Sequence, residues 1–148
     1  MLAGLDHLEA ATTLLQRNRL GHATAGLYEA ADLQWWWRTP RSTDHLAQIY
    51  WFDDLDRPTA AVIATDWGDR VALDPIVLPG TAPDWTVAVI ERGLARAGEV
   101  GWKSIGFELD PADEVLRAVL VEHGFEIEEG AMVEAWLTAD DRPAIDPT

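Results

Sequence analysis

The chain has 148 residues and a mass of 16.4 kDa, with 48% hydrophobic and 25% charged residues. That composition belongs to one globular domain and excludes a disordered chain. Eleven basic residues stand against 26 acidic ones, a net charge of -15, and no basic cluster is present to hold nucleic acid or an anionic membrane.

The acidic excess is uneven. Residues 1–74 carry 6 basic and 11 acidic side chains, whereas residues 75–148 carry 5 and 15. The chain contains no cysteine, so a disulfide framework, a thiolate nucleophile and a cysteine zinc site are all excluded. The first residues lack the basic-then-apolar pattern of a signal peptide. No uncharged apolar run approaches the roughly 20 residues that span a bilayer. A cytoplasmic address is expected.

In chain order, Leu5, Leu8, Ala11 and Leu15 recur at helical spacing and predict a helix over 5–19. Gly21 and Gly26 interrupt the pattern, and a shorter helix is expected over 28–38, before Pro40. Residues 46–52, aromatic and β-branched at their centre, read as a buried strand. Asp53, Asp54, Asp56 and Pro58 form a turn cluster. Strands over 59–67 and 70–78, joined at Gly68-Asp69, complete an antiparallel meander.

From residue 81 the pattern becomes helical. Thr81 and Asp84 have the spacing of a capping box, opening a helix with Trp85, Val89, Ile90, Leu94 and Ala97 on one side. Alternation of Ile105, Phe107 and Leu109 predicts a strand over 102–109. Asp110 followed by Pro111 predicts the next helix start, with Asp110 as N-cap and Gly124 as its stop. A closing hairpin is expected over 125–137. Residues 1–138 form a single domain on this basis, and residues 139–148 a polar, proline-containing tail or linker. The expected class is α/β (α+β): a mixed, mostly antiparallel sheet with helices on both faces.

This element order, with Val77-Leu78-Pro79 before the long helix and His123-Gly124-Phe125 after the last one, resembles the GNAT superfamily of acyl-CoA-dependent N-acetyltransferases. The likeness spans nearly the whole chain, except that only residues 1–4 are left for the family's first strand. It implies transfer of an acetyl group from acetyl-CoA to an amine. In such enzymes an Arg or Gln and a glycine-rich run follow Val-x-Pro and cradle the cofactor pyrophosphate on backbone amides. Here those positions hold Ala82, Pro83, Trp85 and Val87. Pro83 has no N–H, Trp85 is bulky where close approach is needed, and Thr81 and Asp84 are placed to cap the amides themselves. The family's general-acid tyrosine corresponds to Leu120, and an asparagine seven residues earlier to Asp113. The layout is also similar to the N-terminal copy of tandem GNAT chains. That likeness implies a partner: a second GNAT copy, or a like chain in a homodimer.

Several residues are candidates for the site. Asp66 and Asp74 lie on adjacent expected strands, where a carboxylate serves an amine nucleophile as general base or is simply solvated. Backbone amides at Ile76, Val77 and Leu78 would polarise the thioester carbonyl and hold the acyl arm. Pro75 falls where the resembled fold splays two parallel strands. Trp35, Trp36 and Trp37 point about 100° apart on a helix, so they cannot all enter one core. They are candidates for an amine cradle, a partner interface or plain packing. The four histidines, His7, His22, His45 and His123, lack metal-ligand spacing. Asp53, Asp54 and Asp56 lack that of a calcium loop. Two functions remain open: an acetyltransferase with a degenerate pyrophosphate loop, and a non-catalytic module that docks through its tryptophan-rich surface.

Overall fold

A computed structural model describes residues 1–21, 29–36 and 38–128. Trp37, the expected hairpin beyond residue 128 and the tail lie outside those residues. The elements are α1 (Gly4–Gly21), α2 (Ala30–Trp36), β1 (Ile49–Phe52), β2 (Pro58–Asp66), β3 (Val71–Val77), α3 (Pro83–Val100), β4 (Ile105–Gly106) and α4 (Glu114–Glu122). The strands form one sheet in the order β1-β2-β3-β4, antiparallel at the first two pairings and parallel at the third.

Alternation along β2 sorts the core into two layers. Ala61 and Ile63, with Ile76 of β3, face α1 and α2 and pack on Ala11, Leu14 and Leu33. Ala60, Val62 and Ala64, with Leu73 of β3, face α3 and pack on Val89 and Ala97. Gly93 lets α3 approach closely, since a Cβ there would lie 3.0 Å from Val62 Cγ1. α4 packs beside α3 through Leu116, Val119 and Leu120 around Ile90. The first residues pair with the sheet at one bridge: Leu2 and Gln48 exchange both backbone hydrogen bonds, at 2.9 and 2.6 Å. Nearby, the buried His7 ring meets the Tyr50 hydroxyl at 2.7 Å, tying the start of α1 to β1.

The helix starts differ from expectation. The N-cap of α3 is Ala82, with no side-chain hydrogen bond. The Thr81 hydroxyl instead donates to the Leu78 carbonyl at 2.5 Å, so the chain bends back on β3 rather than forming a capping box. A polar cap is worth about 1 kcal/mol. Burial of Val89 and Ile90 contributes about 1.5–3 kcal/mol each, so packing holds the helix without one. α4 begins three residues later than expected, because Asp110 closes a turn of its own: its carbonyl accepts from Asp113 N at 2.8 Å and its carboxylate from Ala112 N. Asp113 is the true cap, accepting from Leu116 N. Among the described residues, no helix is long and apolar enough to cross a membrane.

Candidate active site

The strand expected over 102–109 pairs only at Val71↔Ile105 and Ala72↔Gly106. The reason lies in which β3 residues bond to which neighbour. Leu78 N donates to Thr59 O and Trp67 N to Arg70 O, both within the β2–β3 register. Even-numbered residues of β3 therefore direct their backbone groups to β2. Odd-numbered residues face β4, as Val71 N does in donating to Ser104 O at 3.0 Å. The next rungs toward β4 would fall at Leu73 and Pro75, and Pro75 has no N–H to donate. Beyond Ala72 and Gly106 the pairing stops and the two strands form a fork.

This parity corrects the expected trio of amides. The Ile76 and Leu78 amides belong to the β2 ladder. Val77 alone of the three presents its N–H to the fork.

Asp74 lies on the face of β3 that carries Ile76, across from Ile63 in β2. The residue as a whole is only partly covered, but its carboxyl is crowded by protein. Burial pushes that group up to about 7, and the Glu108 charge pushes in the same direction. The two effects agree with the geometry: continuing the parallel register two residues past Ala72↔Gly106 sets Glu108 opposite Asp74, on the same face. Among the described residues, no hydrogen bond holds the Asp74 carboxyl.

Glu108 was not singled out from sequence. Its signal was the alternation with Phe107 and Leu109, which pack on the α3 side, but only the strand register shows what it opposes.

Asp66 sits at the other end of the sheet, beside the β2–β3 turn. Its carboxylate accepts from the Ser42 hydroxyl and from Gly68 N, and these bonds, with the Arg41 charge, hold its pKa down. It orders a turn and does not share the fork with Asp74. Asp53 likewise serves its own turn, accepting from Leu55 N and Arg57 N and pairing with Arg17 and Arg57.

The tryptophans divide. Trp36 packs on the α1 side of the core and meets Trp67 edge-on at 5.4 Å. Trp35 is 66% exposed, with the Arg38 guanidinium 4.3 Å from its ring centre. A hollow between α1, α2 and the sheet, lined by His7, Trp36, Arg41 and Asp44, has room for about one water. It is too small for a substrate. Among the described residues, no three His, Asp or Glu side chains converge as metal ligands.

A coenzyme A thioester makes two demands, and the residues meet one of them. Beyond Ala72 and Gly106, β3 turns backbone groups toward β4 that the parallel ladder does not use, the kind of partners an acyl arm needs. The start of α3 does not fit a diphosphate. Pro83 occupies its first position and has no N–H. Trp85 N and Thr86 N both turn to the Ala82 carbonyl, at 3.0 and 3.3 Å. One amide of the first turn remains, that of Asp84, and the Asp84 carboxylate accompanies it. Trp85 packs edge-on against Trp51 at 5.6 Å, filling space that glycine would leave open.

No protein-family model and no curated protein matches the sequence. Solved structures do. The ribosomal-protein-S18-alanine N-acetyltransferase of Escherichia coli aligns at a TM-score of 0.62 and 16% identity, over 96% of this chain and 85% of that one. An aminoglycoside N-acetyltransferase in complex with CoA aligns at 0.52 and 17%, over 90% of each chain. An aminoglycoside 6'-N-acetyltransferase of Acinetobacter haemolyticus aligns at 0.50 and 13%, over 88% and 94%. The chain has the fold of the GNAT acetyltransferases.

Proposed function

We propose that this chain transfers an acetyl group from a thioester to an amine at the fork between β3 and β4. The observation that carries the proposal is the end of β3–β4 pairing at Ala72↔Gly106, with Asp74 and Pro75 on the stretch of β3 just beyond it. The acetyltransferases that share the fold support it.

A thioester supplies an activated acetyl group. The amine nitrogen forms a bond to the carbonyl carbon, the carbon–sulfur bond breaks, and its electron pair leaves with sulfur. Asp74 takes the proton the nitrogen sheds and passes it on to the thiolate or to water. The Val77 N–H is the donor on the fork edge suited to the oxygen as it gains charge. A carboxyl raised to about 7 is a far better base than an ordinary aspartate, because a base works best near the operating pH.

The test is kcat for acetyl transfer, followed by thiol release across a panel of primary amines. Asp74→Asn is expected to lower kcat by about 10²–10³. In the parent chain, kcat should rise with pH through about 7 as Asp74 loses its proton. Glu108→Gln should move that rise to lower pH, because the charge that disfavours ionised Asp74 is gone. An Asp74→Asn chain as active as the parent would dismiss the proposal.

A second function is favoured by Trp35, whose exposure is high for so large a ring. In it, the same fold is a non-catalytic module that docks a second copy of the fold or a like chain. Sedimentation separates the two. A concentration-dependent dimer abolished by Trp35→Ser, in a chain with no transferase activity, would favour docking.

A further inference from the structure

We infer that the acyl donor is a thioester whose arm ends before any diphosphate, held by the β3–β4 fork alone. The inference rests on the acetyl-transfer function above and narrows its donor.

Three independent features converge on it. The first is the start of α3, where one amide is left for an anion and a carboxylate stands beside it. Helix starts bind phosphate because several N–H groups converge there with the positive end of the dipole, and here Pro83, the Trp85 amide turned in to Ala82 and the Asp84 carboxylate remove that property. The second is what adjoins this end of β3. Gly21, the last residue of α1, lies so close to Pro79 that a Cβ would sit 3.3 Å from its ring, so the C-terminal, negative end of the α1 dipole adjoins the chain that leaves β3. Arg17 of α1 and Arg57 of the β1–β2 turn, on the same end of the sheet, are both paired with Asp53. The third is the charge of the whole chain, -15, which opposes the approach of a polyanion and leaves a neutral arm unaffected.

The fork itself asks only for what a pantetheine arm contains. Its edge offers the Val77 N–H and the outward carbonyls of β3, partners for the amides and carbonyls of such an arm, and none of these is a phosphate contact. The transfer step is unchanged: the new bond joins nitrogen to the acetyl carbon, the carbon–sulfur bond breaks, and the thiol leaves with the proton relayed by Asp74.

Calorimetric titration of the full chain with pantetheine and with coenzyme A tests the inference. The two are expected to bind within about threefold of one another, since the nucleotide end gains nothing. A double variant, Pro83→Gly with Asp84→Gly, is expected to tighten coenzyme A by about tenfold and leave pantetheine unchanged. Coenzyme A binding more than about thirtyfold tighter than pantetheine in the parent chain would overturn the inference while leaving acetyl transfer intact. Binding of neither, together with no turnover of acetyl-pantetheine or acetyl-CoA, would overturn both. The parent comparison stands by itself if the double variant fails to fold.

Discussion

Asp74, the proposed base, is a liability to the folded chain. Its folded-state pKa, about 7, lies above the ordinary aspartate value of 3.8, so the folded protein holds a proton that the unfolded chain releases. Stability from this group is therefore complete below about pH 4 and is lost as pH rises through about 7. Asp74→Asn removes the dependence. At pH 8 the variant is expected to be more stable than the parent by about 2 kcal/mol, a figure held below the full linkage value because the residue is partly open to water. At pH 4 the difference should vanish. Urea unfolding at the two pH values measures it, and an equal difference at both would place Asp74 in an ordinary solvated setting. Asp66 makes the contrast: the same residue type one strand away, with its pKa lowered by a hydroxyl, an amide and an arginine, is anchored where Asp74 is left without a partner.

At the scale of elements, Pro75 bars the β3–β4 ladder from resuming past its short paired start. β3 and β4 start as a parallel pair, and Val71 N bonds to Ser104 O as the register requires. Pro75 then withholds the donor that would carry the ladder on. Pro75→Val restores an N–H at that rung and should let β4 lengthen toward Glu108. We expect the new residue 75 amide to be protected from hydrogen exchange, the melting temperature to hold or rise by about 1–3 °C, and transferase activity to fall at least about tenfold as the fork closes. An unprotected amide with full activity would show that something other than Pro75 keeps the strands apart. The same scale explains the helix starts. Asp110 carries the capping signature, but the turn it closes leaves the cap to Asp113.

Across the whole molecule, the charge of -15 acts against compactness, and no local pairing cancels it. Added salt screens that repulsion, with a Debye length falling from about 30 Å at 0.01 M to 3 Å at 1 M. The melting temperature at pH 7 is expected to climb by about 2–5 °C between 10 and 500 mM sodium chloride. Near pH 4.4, where the sequence is isoelectric, the climb should disappear. A flat response at pH 7 would mean the charges are spread too far apart to matter.

The amino-acid sequence by itself determined the layers: apolar spacing and turn residues set the order of helices and strands, and the two short motifs beside α3 and α4 pointed to the superfamily whose fold the chain has. It also located Asp74 and Pro75, because a carboxylate and a proline inside a strand are locally anomalous. The register decided the rest. Whether Ile76, Val77 or Leu78 faces the fork depends on a parity set by pairing with β2. Glu108 acquires a role only when a strand more than thirty residues away lies beside β3. Thr81 turned from a cap into a tether because the Leu78 carbonyl was within its reach. Spacing along a chain sets which face a side chain takes, whereas the neighbour it meets there is a property of packing between elements distant in sequence.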